Sequence, residues 1–349
     1  DITAFHLTAD KIAKAWKRRR PNTQGEPTGL SFPHHIVGVH HPIIAEVDAA
    51  LHSAPLEVGF APACWLTMTD VELLKKPGVF DVELMRTIQL MNTFFNMCNI
   101  LLARMTMVNA ETHRMFSRTQ FGGRKFHMAI TAVCIILNCF DFLRFRHQAG
   151  AATPEDQAKC YDFFCHPLAS LAQRSMGVPD QPLHMMVGVL QKAKHFISTP
   201  YGRSADSYGG QDLMDQGSLP LGGAGQGNGD GPCFYSCTVD KSDKVCELRG
   251  AGAVLEAPMT RNTVNIPNVK FVDDNTALTS CACIEAPAKH VLVKAQQELD
   301  DWQACSKVSG GTLNHAKTVT WIWEQVWSND HWRMRTDKSL PGTLHLEDE

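Results

Sequence analysis

Two adjacent carboxylates, Asp273 and Asp274, are the residues of this sequence best suited to chemistry. They follow residues 269–272, where side chains alternate as in a strand that runs into a tight turn. Carboxylates on such a turn face one small volume and repel each other unless a cation neutralises them. Mg²⁺ prefers oxygen ligands and keeps positions open for phosphate, so the pair predicts a magnesium site, with Mn²⁺ as the alternative ion.

A metal site that handles phosphate needs a further carboxylate from another part of the chain. Asp156 is one candidate, although residues 150–155 contain Pro154 and no Val, Ile or Leu, which disfavours a strand leading into it. Asp141 is the alternative, because it follows a strongly apolar run. The sequence alone leaves both open.

Helices are predicted for most of the segments around these acidic residues, because apolar residues recur at helical spacing. Residues 269–284 are instead predicted to form a β-hairpin that carries the acidic turn. The Gly-rich stretch 202–232 is predicted to be a linker. A second acidic pair, Asp300-Asp301, falls on the surface of the last predicted helix. The helical segments are 1–60, most of 62–150 including 81–105 and 126–146, 166–176, 183–195 and 286–308.

Composition and charge limit the class of protein that the sequence can encode. The 349 residues are 44% hydrophobic, enough for a sizeable core, and the net charge of -3 does not itself indicate a nucleic-acid partner. Twelve cysteines without a Cys-x-x-Cys pair favour buried thiols in an intracellular protein, nuclear or cytoplasmic, over zinc binding. No signal peptide is visible, and the longest apolar run is shorter than the roughly 20 residues that cross a bilayer, so no membrane partner is expected. Because the sequence begins without Met, we expect it to be part of a longer polypeptide.

Six short motifs follow one another between residues 75 and 325. In chain order they are Leu84-Met-Arg-Thr-Ile88, Gln120-Phe-Gly-Gly-Arg124, Asp156 with Tyr161-Asp162, Gly225-Gln-Gly-Asn-Gly229, Phe271-Val-Asp-Asp274 and Ser309-Gly-Gly-Thr-Leu-Asn-His-Ala-Lys317. Together they resemble the fingers segments and motifs A to D of reverse transcriptases, in particular those of non-LTR retroelements. Each motif is weak alone, and the resemblance rests on their common order.

The resemblance implies an α+β fold. Its centre would be a right-hand polymerase palm, an antiparallel sheet with packed helices, joined to largely helical fingers, with the thumb partial or absent. The corresponding divisions are an N-terminal helical extension at 1–74, fingers at 75–150, a palm with motifs A to D at 151–325, and a C-terminal segment at 326–349 that would begin a thumb or connector.

The resemblance also implies an activity, RNA-directed DNA synthesis by two-metal nucleotidyl transfer. Asp156 and Asp273 would be the main ligands of two Mg²⁺ ions, with Asp274 supporting them. Glu155 would be a solvated neighbour or an accessory ligand. The partners would be an RNA template, a DNA primer and deoxynucleoside triphosphates.

Five further residues match positions that contact the nucleotide in this family. Tyr161 would lie under the incoming sugar, where its ring would clash with a 2′-hydroxyl and favour DNA synthesis. Gln226 and Gly227 belong to the motif B loop beside the nucleotide. Arg86 would hold the triphosphate, and Lys317 would lie near the pyrophosphate as a proton donor.

Two alternatives stay open. Phe163 and Phe164 stand where the family usually has Arg-Ile, and Asn99 stands near the place of an expected lysine. These departures favour a protein that keeps the fold but binds nucleic acid or a partner without catalysis. An RNA-dependent RNA polymerase is the other alternative, and Tyr161 argues against it, because a small or hydrogen-bonding residue would be expected at that place.

Overall fold

The computed structural model describes residues 6–25, 29–81, 84–158, 160–282, 287–336 and 344. Over these residues the fold is α+β, as predicted. The helices are α1 (Ala9–Lys17), α2 (Phe32–Gly38), α3 (Pro42–Val58), α4 (Thr93–Thr112), α5 (Ala129–Phe145), α6 (His166–Ser175), α7 (Asp180–Lys192), α8 (Gln211–Asp215), α9 (Gly231–Leu248) and α10 (Pro287–Val308). The strands are β1 (Thr67–Leu74), β2 (Met85–Leu90), β3 (Ala149–Glu155), β4 (Gln157–Ala158), β5 (Lys194–Thr199), β6 (Gly202–Arg203), β7 (Tyr208–Gly209), β8 (Ala253–Glu256), β9 (Thr263–Ile266), β10 (Asn268–Phe271), β11 (Asp274–Cys281), β12 (Thr312–Leu313), β13 (Trp321–Ser328) and β14 (His331–Thr336).

The chain divides into two compact units, and each is made of two separate stretches of sequence. Unit 1 consists of residues 1–115 and 161–235, and unit 2 of residues 116–160 and 236–349. Among the described residues, no helix is both long enough and apolar enough to cross a membrane.

Unit 1 is built from α1–α4, α6–α8 and a mixed sheet in the order β2-β1-β5-β6, with β7 also on β5. Strands β1 and β5 run parallel, and the other pairs are antiparallel. Its N-terminal helices are joined by a buried polar contact, because the Trp16 indole Nε1 of α1 donates to Asp48 Oδ2 of α3 at 2.6 Å. Trp16 is fully buried and stacks on His35, with ring centroids 4.3 Å apart.

The prediction of mainly helical structure over residues 62–150 is wrong at its start. The last residues of the predicted helical extension form β1, and the fingers motif at 84–88 lies largely in β2 instead of a helix. These two strands pair antiparallel from Thr69↔Leu90 to Leu74↔Met85, and β1 also pairs with β5. Strand pairing therefore overrides the local helical spacing of apolar residues.

Unit 2 contains a five-stranded antiparallel sheet in the order β10-β11-β3-β13-β14. Along the chain, β3, α9, β10, β11, α10 and β13 give a β-α-β-β-α-β succession of the ferredoxin-like kind. Helix α5 packs on one face of β3 through Cys139 and Leu143. Helix α10 packs on the other face through Val291 and Ala295. Strand β3 therefore lies in the middle of a helix–sheet–helix layer.

The expectation of a poor strand before Asp156 is also wrong, since β3 is central in its sheet. Its small residues are required there, because a Cβ on Gly150 would lie 2.5 Å from Trp323 Cζ2 and 3.1 Å from Leu143 Cδ1. Pro154 fits because β13 pairs with β3 only as far as Ala152, so no partner on that side needs its missing N–H.

Several predictions from periodicity are confirmed. Helices α5, α6 and α10 fall within the segments predicted for them. Helix α7 overlaps its predicted segment, 183–195, but begins earlier, at Asp180, and residues 194–195 belong to β5. Helix α10 ends at Val308, as predicted, and Gly310 just beyond it adopts a φ of +92°, a conformation that ends helices. The predicted hairpin is present as β10 and β11; its predicted end at 283–284 lies outside the described residues.

Candidate active site

The acidic turn is a tight two-residue connection between β10 and β11. Phe271 pairs with Asp274, which leaves Val272 and Asp273 as the turn. Val272 has a φ of +62°, a strained conformation for a β-branched residue, and such strain occurs mainly at functional sites. Gly122 supports the turn from the Gln-Phe-Gly-Gly motif, because a Cβ there would lie only 2.0 Å from the Val272 nitrogen.

The pairing of β3 with β11 brings Asp156 to this turn. The register ends at Asn275↔Glu155, so the next position along each strand places Asp156 opposite Asp274. Paired positions in an antiparallel ladder lie about 4.5–5.5 Å apart between Cα atoms. Three carboxylates, from Asp156, Asp273 and Asp274, therefore lie at the same end of the sheet.

The charges of these side chains are coupled. Partial burial, followed by the neighbouring charges of Asp273 and Asp156, raises the pKa of Asp274, while Lys317 opposes the shift. Lys317 Nζ also lies 2.9 Å from Asp156 Oδ2, and the Asn314 N–H donates to the Asp156 carbonyl at 2.8 Å. The motif D segment is thus bound directly to Asp156.

Asp141 occupies a different environment from Asp156. It lies on the exposed surface of α5 and forms an ion pair with Arg144, with 3.1 Å between Oδ1 and Nη2. The strand register therefore favours Asp156 as the partner of the acidic turn.

Glu155 is neither solvated nor exposed, contrary to the expectation from sequence. It is 4% exposed, and its Oε2 accepts a hydrogen bond from Asn275 Nδ2. Burial raises the pKa of Glu155 to about 8, although the Asn275 hydrogen bond and the Lys270 charge oppose the shift. Lys270, Asn275 and Glu155 are register partners across β10, β11 and β3. They form a buried polar row one residue behind the acidic end.

Lys270 is a buried anchor that sequence reasoning missed. Strand alternation placed it on the face opposite Phe271, but gave no partner for it. The side chain is 1% exposed, forms an ion pair with Asp243 of α9, and lies 3.5 Å above the ring of Trp302 in α10. Asn268 Nδ2 also donates to Asp243 Oδ1 at 2.7 Å. One ammonium group thus joins two helices to the strand that leads into the acidic turn.

Replacing Lys270 tests this anchor. Lys270→Met should lower the free energy of unfolding by about 3–5 kcal/mol, because Asp243 would lose its counter-ion inside the protein. The double variant Lys270→Met, Asp243→Leu should recover most of the loss. The control Lys289→Met, on the exposed face of α10, should change the free energy of unfolding by less than about 0.5 kcal/mol. Denaturant unfolding measures all three, and a double variant no more stable than Lys270→Met would contradict the ion-pair account.

The predicted nucleotide-contact residues Arg86, Tyr161, Gln226 and Gly227 lie in unit 1. The Gly-rich loop that carries Gln226 is folded against two neighbouring segments, so the prediction of a linker is wrong for it. The Gln89 N–H of β2 donates to the Gln226 carbonyl at 2.7 Å, and the Ala224 N–H donates to the Tyr161 carbonyl at 2.7 Å. A Cβ on Gly227 would lie 2.5 Å from the Gln89 oxygen, so glycine is required for this approach. Arg86 is exposed on the same strand as Gln89.

Two buried polar residues fix the end of this loop. Asn99 Nδ2 donates to Asn228 Oδ1 at 2.8 Å, so the asparagine that stands near the place of the expected lysine supports the loop. Asp230 is fully buried, and its Oδ2 accepts from Gln173 Nε2 at 2.6 Å. Burial raises the pKa of Asp230 to about 7, while the hydrogen bonds from Gln173 and Cys233 oppose the shift.

The raised pKa of Asp230 predicts a pH-dependent stability. The unfolded carboxyl has its ordinary pKa near 4. The stability that the protonated Asp230 carboxyl contributes is therefore fully present below about pH 4, and it is lost as the pH rises through about 7. Between pH 4 and pH 8 the parent should lose on the order of 4 kcal/mol of unfolding free energy relative to Asp230→Asn. Asp206→Asn, at an exposed position, should keep the parent's profile. Chemical denaturation across this range measures the difference, and parallel profiles for parent and Asp230→Asn would contradict the assignment.

The acidic end of unit 2 fits a divalent cation through its donor chemistry. Carboxylate oxygens are the preferred ligands of Mg²⁺. Partial burial and then repulsion from Asp273 and Asp156 raise the pKa of Asp274, and a bound cation would relieve that repulsion. In the part of the chain that the structure describes, no three His, Cys, Asp or Glu side chains converge as a preformed metal site. Asp156 is instead neutralised by Lys317.

No protein-family model matches the sequence, and a search of the curated proteins finds no match.

Proposed function

We propose that this chain is the RNA-directed DNA polymerase domain of a retroelement, which extends a DNA primer on an RNA template with deoxynucleoside triphosphates. The observation that carries the proposal is the register of β3 with β11, which ends at Asn275↔Glu155 and so brings Asp156 to the end of the sheet where Asp274 and the acidic turn lie. The antiparallel β-α-β-β-α-β core of unit 2 is compatible with the palm that the resemblance implies.

Asp156 and Asp273 would hold the metal ions, and Asp274 would support them. Bound Mg²⁺, or Mn²⁺ in its place, would supply charge neutralisation and activation of the primer 3′-hydroxyl. Lys317 carries an ammonium group beside Asp156, and such a group is suited to give a proton to departing pyrophosphate. Arg86, Gln226, Gly227 and Tyr161 are assigned to nucleotide binding by resemblance.

A second candidate is a non-catalytic protein of the same fold that binds nucleic acid or a partner. One observation favours it: the Lys317–Asp156 ion pair already neutralises the carboxylate that metal binding requires. A polymerase would have to exchange this pair for a cation, whereas a binding module would keep it. Divalent-metal dependence therefore separates the two candidates.

Primer extension on an RNA template with Mg²⁺ and dNTPs tests the proposal. Asp273→Asn should reduce the rate by on the order of 10²–10³-fold, since loss of a metal ligand removes several kcal/mol of stabilisation from the transition state. Asp300→Asn is the matched control, because it changes the exposed member of the second Asp-Asp pair, on α10, and should leave the rate unchanged.

Two outcomes would count against this account. Full activity of Asp273→Asn would show that the site assignment is wrong. Failure of the parent to extend primers with any divalent metal, together with retained nucleic-acid binding, would favour the non-catalytic candidate.

Selection of the sugar tests the role assigned to Tyr161. Tyr161→Ala should raise ribonucleotide incorporation relative to deoxyribonucleotide incorporation by about 10–200-fold, because the ring that excludes the 2′-hydroxyl is removed. Tyr161→Phe keeps the ring and should keep the parent's selectivity. Competition between matched rNTP and dNTP on one template measures the ratio. Equal selectivity in Tyr161→Ala and the parent would remove Tyr161 from this role.

A further inference from the structure

Two cysteines of unit 2, far apart in sequence, meet between α9 and α10. Cys246 lies near the end of α9 and Cys305 near the end of α10. Asp243 and Trp302, each three residues before one of these cysteines, both contact the Lys270 ammonium. The two thiols are close enough to interact electrostatically, and Cys305 also interacts with the side chain of Ser242.

A second contact holds the same parts of the two helices together. Arg249, immediately after α9, forms an ion pair with Asp301 of α10, with 2.7 Å between Nε and Oδ1. Arg249 follows Cys246 by three residues and Asp301 precedes Cys305 by four, so the ion pair lies about one helical turn from the thiols. This ion pair holds the two helices together next to the cysteines.

The environments of the two thiols differ in a way that favours reaction at Cys305. Cys246 is 5% exposed, whereas Cys305 is partly accessible to solvent. The interaction with the Cys246 thiol lowers the pKa of Cys305 to about 7, and burial opposes this shift. By contrast, burial raises the pKa of Cys139 to about 11 and raises that of Cys98 further. A thiolate is the reactive form of cysteine, so Cys305 is much better suited to oxidation than these two residues.

We propose that Cys305 is an oxidation site for peroxides and that Cys246 resolves the product into a reversible disulfide. The Cys305 thiolate attacks a peroxide oxygen, which forms an S–O bond and breaks the O–O bond, with release of water after protonation. The Cys246 sulfur, on losing its proton, attacks the sulfenic acid, which forms the S–S bond and releases a second water. Two thiols lose two electrons and two protons, and hydrogen peroxide gains them.

The disulfide would join the helices that hold Lys270. Asp243 belongs to α9 and Trp302 to α10, and both contact the Lys270 ammonium. Oxidation would therefore replace a thiol–thiol interaction with a covalent link directly beside the anchor of the acidic hairpin. This modification site goes beyond the proposed polymerase function and does not depend on it.

Peptide mapping of the oxidised full chain tests the proposal. The reduced protein is treated with increasing hydrogen peroxide, remaining thiols are alkylated, and non-reduced digests are analysed by mass spectrometry. The Cys246–Cys305 cross-linked peptide should appear at a lower peroxide dose than any other cysteine pair and should disappear after reduction with dithiothreitol. The same treatment in denaturant should abolish this preference, since it depends on folded geometry.

Three serine variants assign the steps. Cys305→Ser should abolish the cross-link, and Cys246→Ser should leave a sulfenic acid on Cys305 that dimedone traps. Cys134→Ser, at an exposed position of α5, should form the cross-link as the parent does. Oxidation of Cys134 at doses that leave Cys305 unmodified, or pairing of Cys305 with another cysteine, would overturn the proposal.

Discussion

The pairing of β3 with β11 is the constraint on which the candidate site depends. A shift of one residue in this register would move Asp156 away from Asp274 and would turn every β3 side chain to the other face of the sheet. Packing between α5 and α10 prevents that shift, because the strand offers only small residues to both helices and Gly150 lies against Trp323. The small side chains of β3, which replace the usual large apolar ones, therefore fix its position between the two helices.

A buried polar layer then supports the acidic end. Lys270, Asn275 and Glu155 form one row across three strands. Lys270 pairs with Asp243, and Asn275 is hydrogen-bonded to Glu155. Buried polar groups are costly unless they are paired, so this layer contributes specificity of arrangement more than net stability. It connects the position of the acidic turn to α9 and α10, and these same helices carry the Cys246–Cys305 pair.

Sequence reasoning predicted the parts of the fold that local pattern determines. Helix α10 and the acidic hairpin follow from periodicity and turn chemistry over neighbouring residues. Strands β1 and β3 were not predictable in this way, because they pair with distant segments, and β3 carries small residues where large apolar ones are usual. Strand β2 has apolar residues at helical spacing, and only its pairing with β1 makes it a strand. The Lys270–Asp243 pair joins residues 27 positions apart, and a lysine in a strand gives no local signal of burial. Asp156 was named as a candidate from the motif order, while its geometry required the strand register.

Anomalous diffraction from crystals of the chain soaked with Mn²⁺ tests the proposed metal centre most directly. We expect an anomalous peak about 2.0–2.3 Å from carboxylate oxygens of Asp156 and Asp273, with Lys317 displaced from Asp156. A structure in which Mn²⁺ binds elsewhere while the Lys317–Asp156 pair stays intact would contradict this expectation.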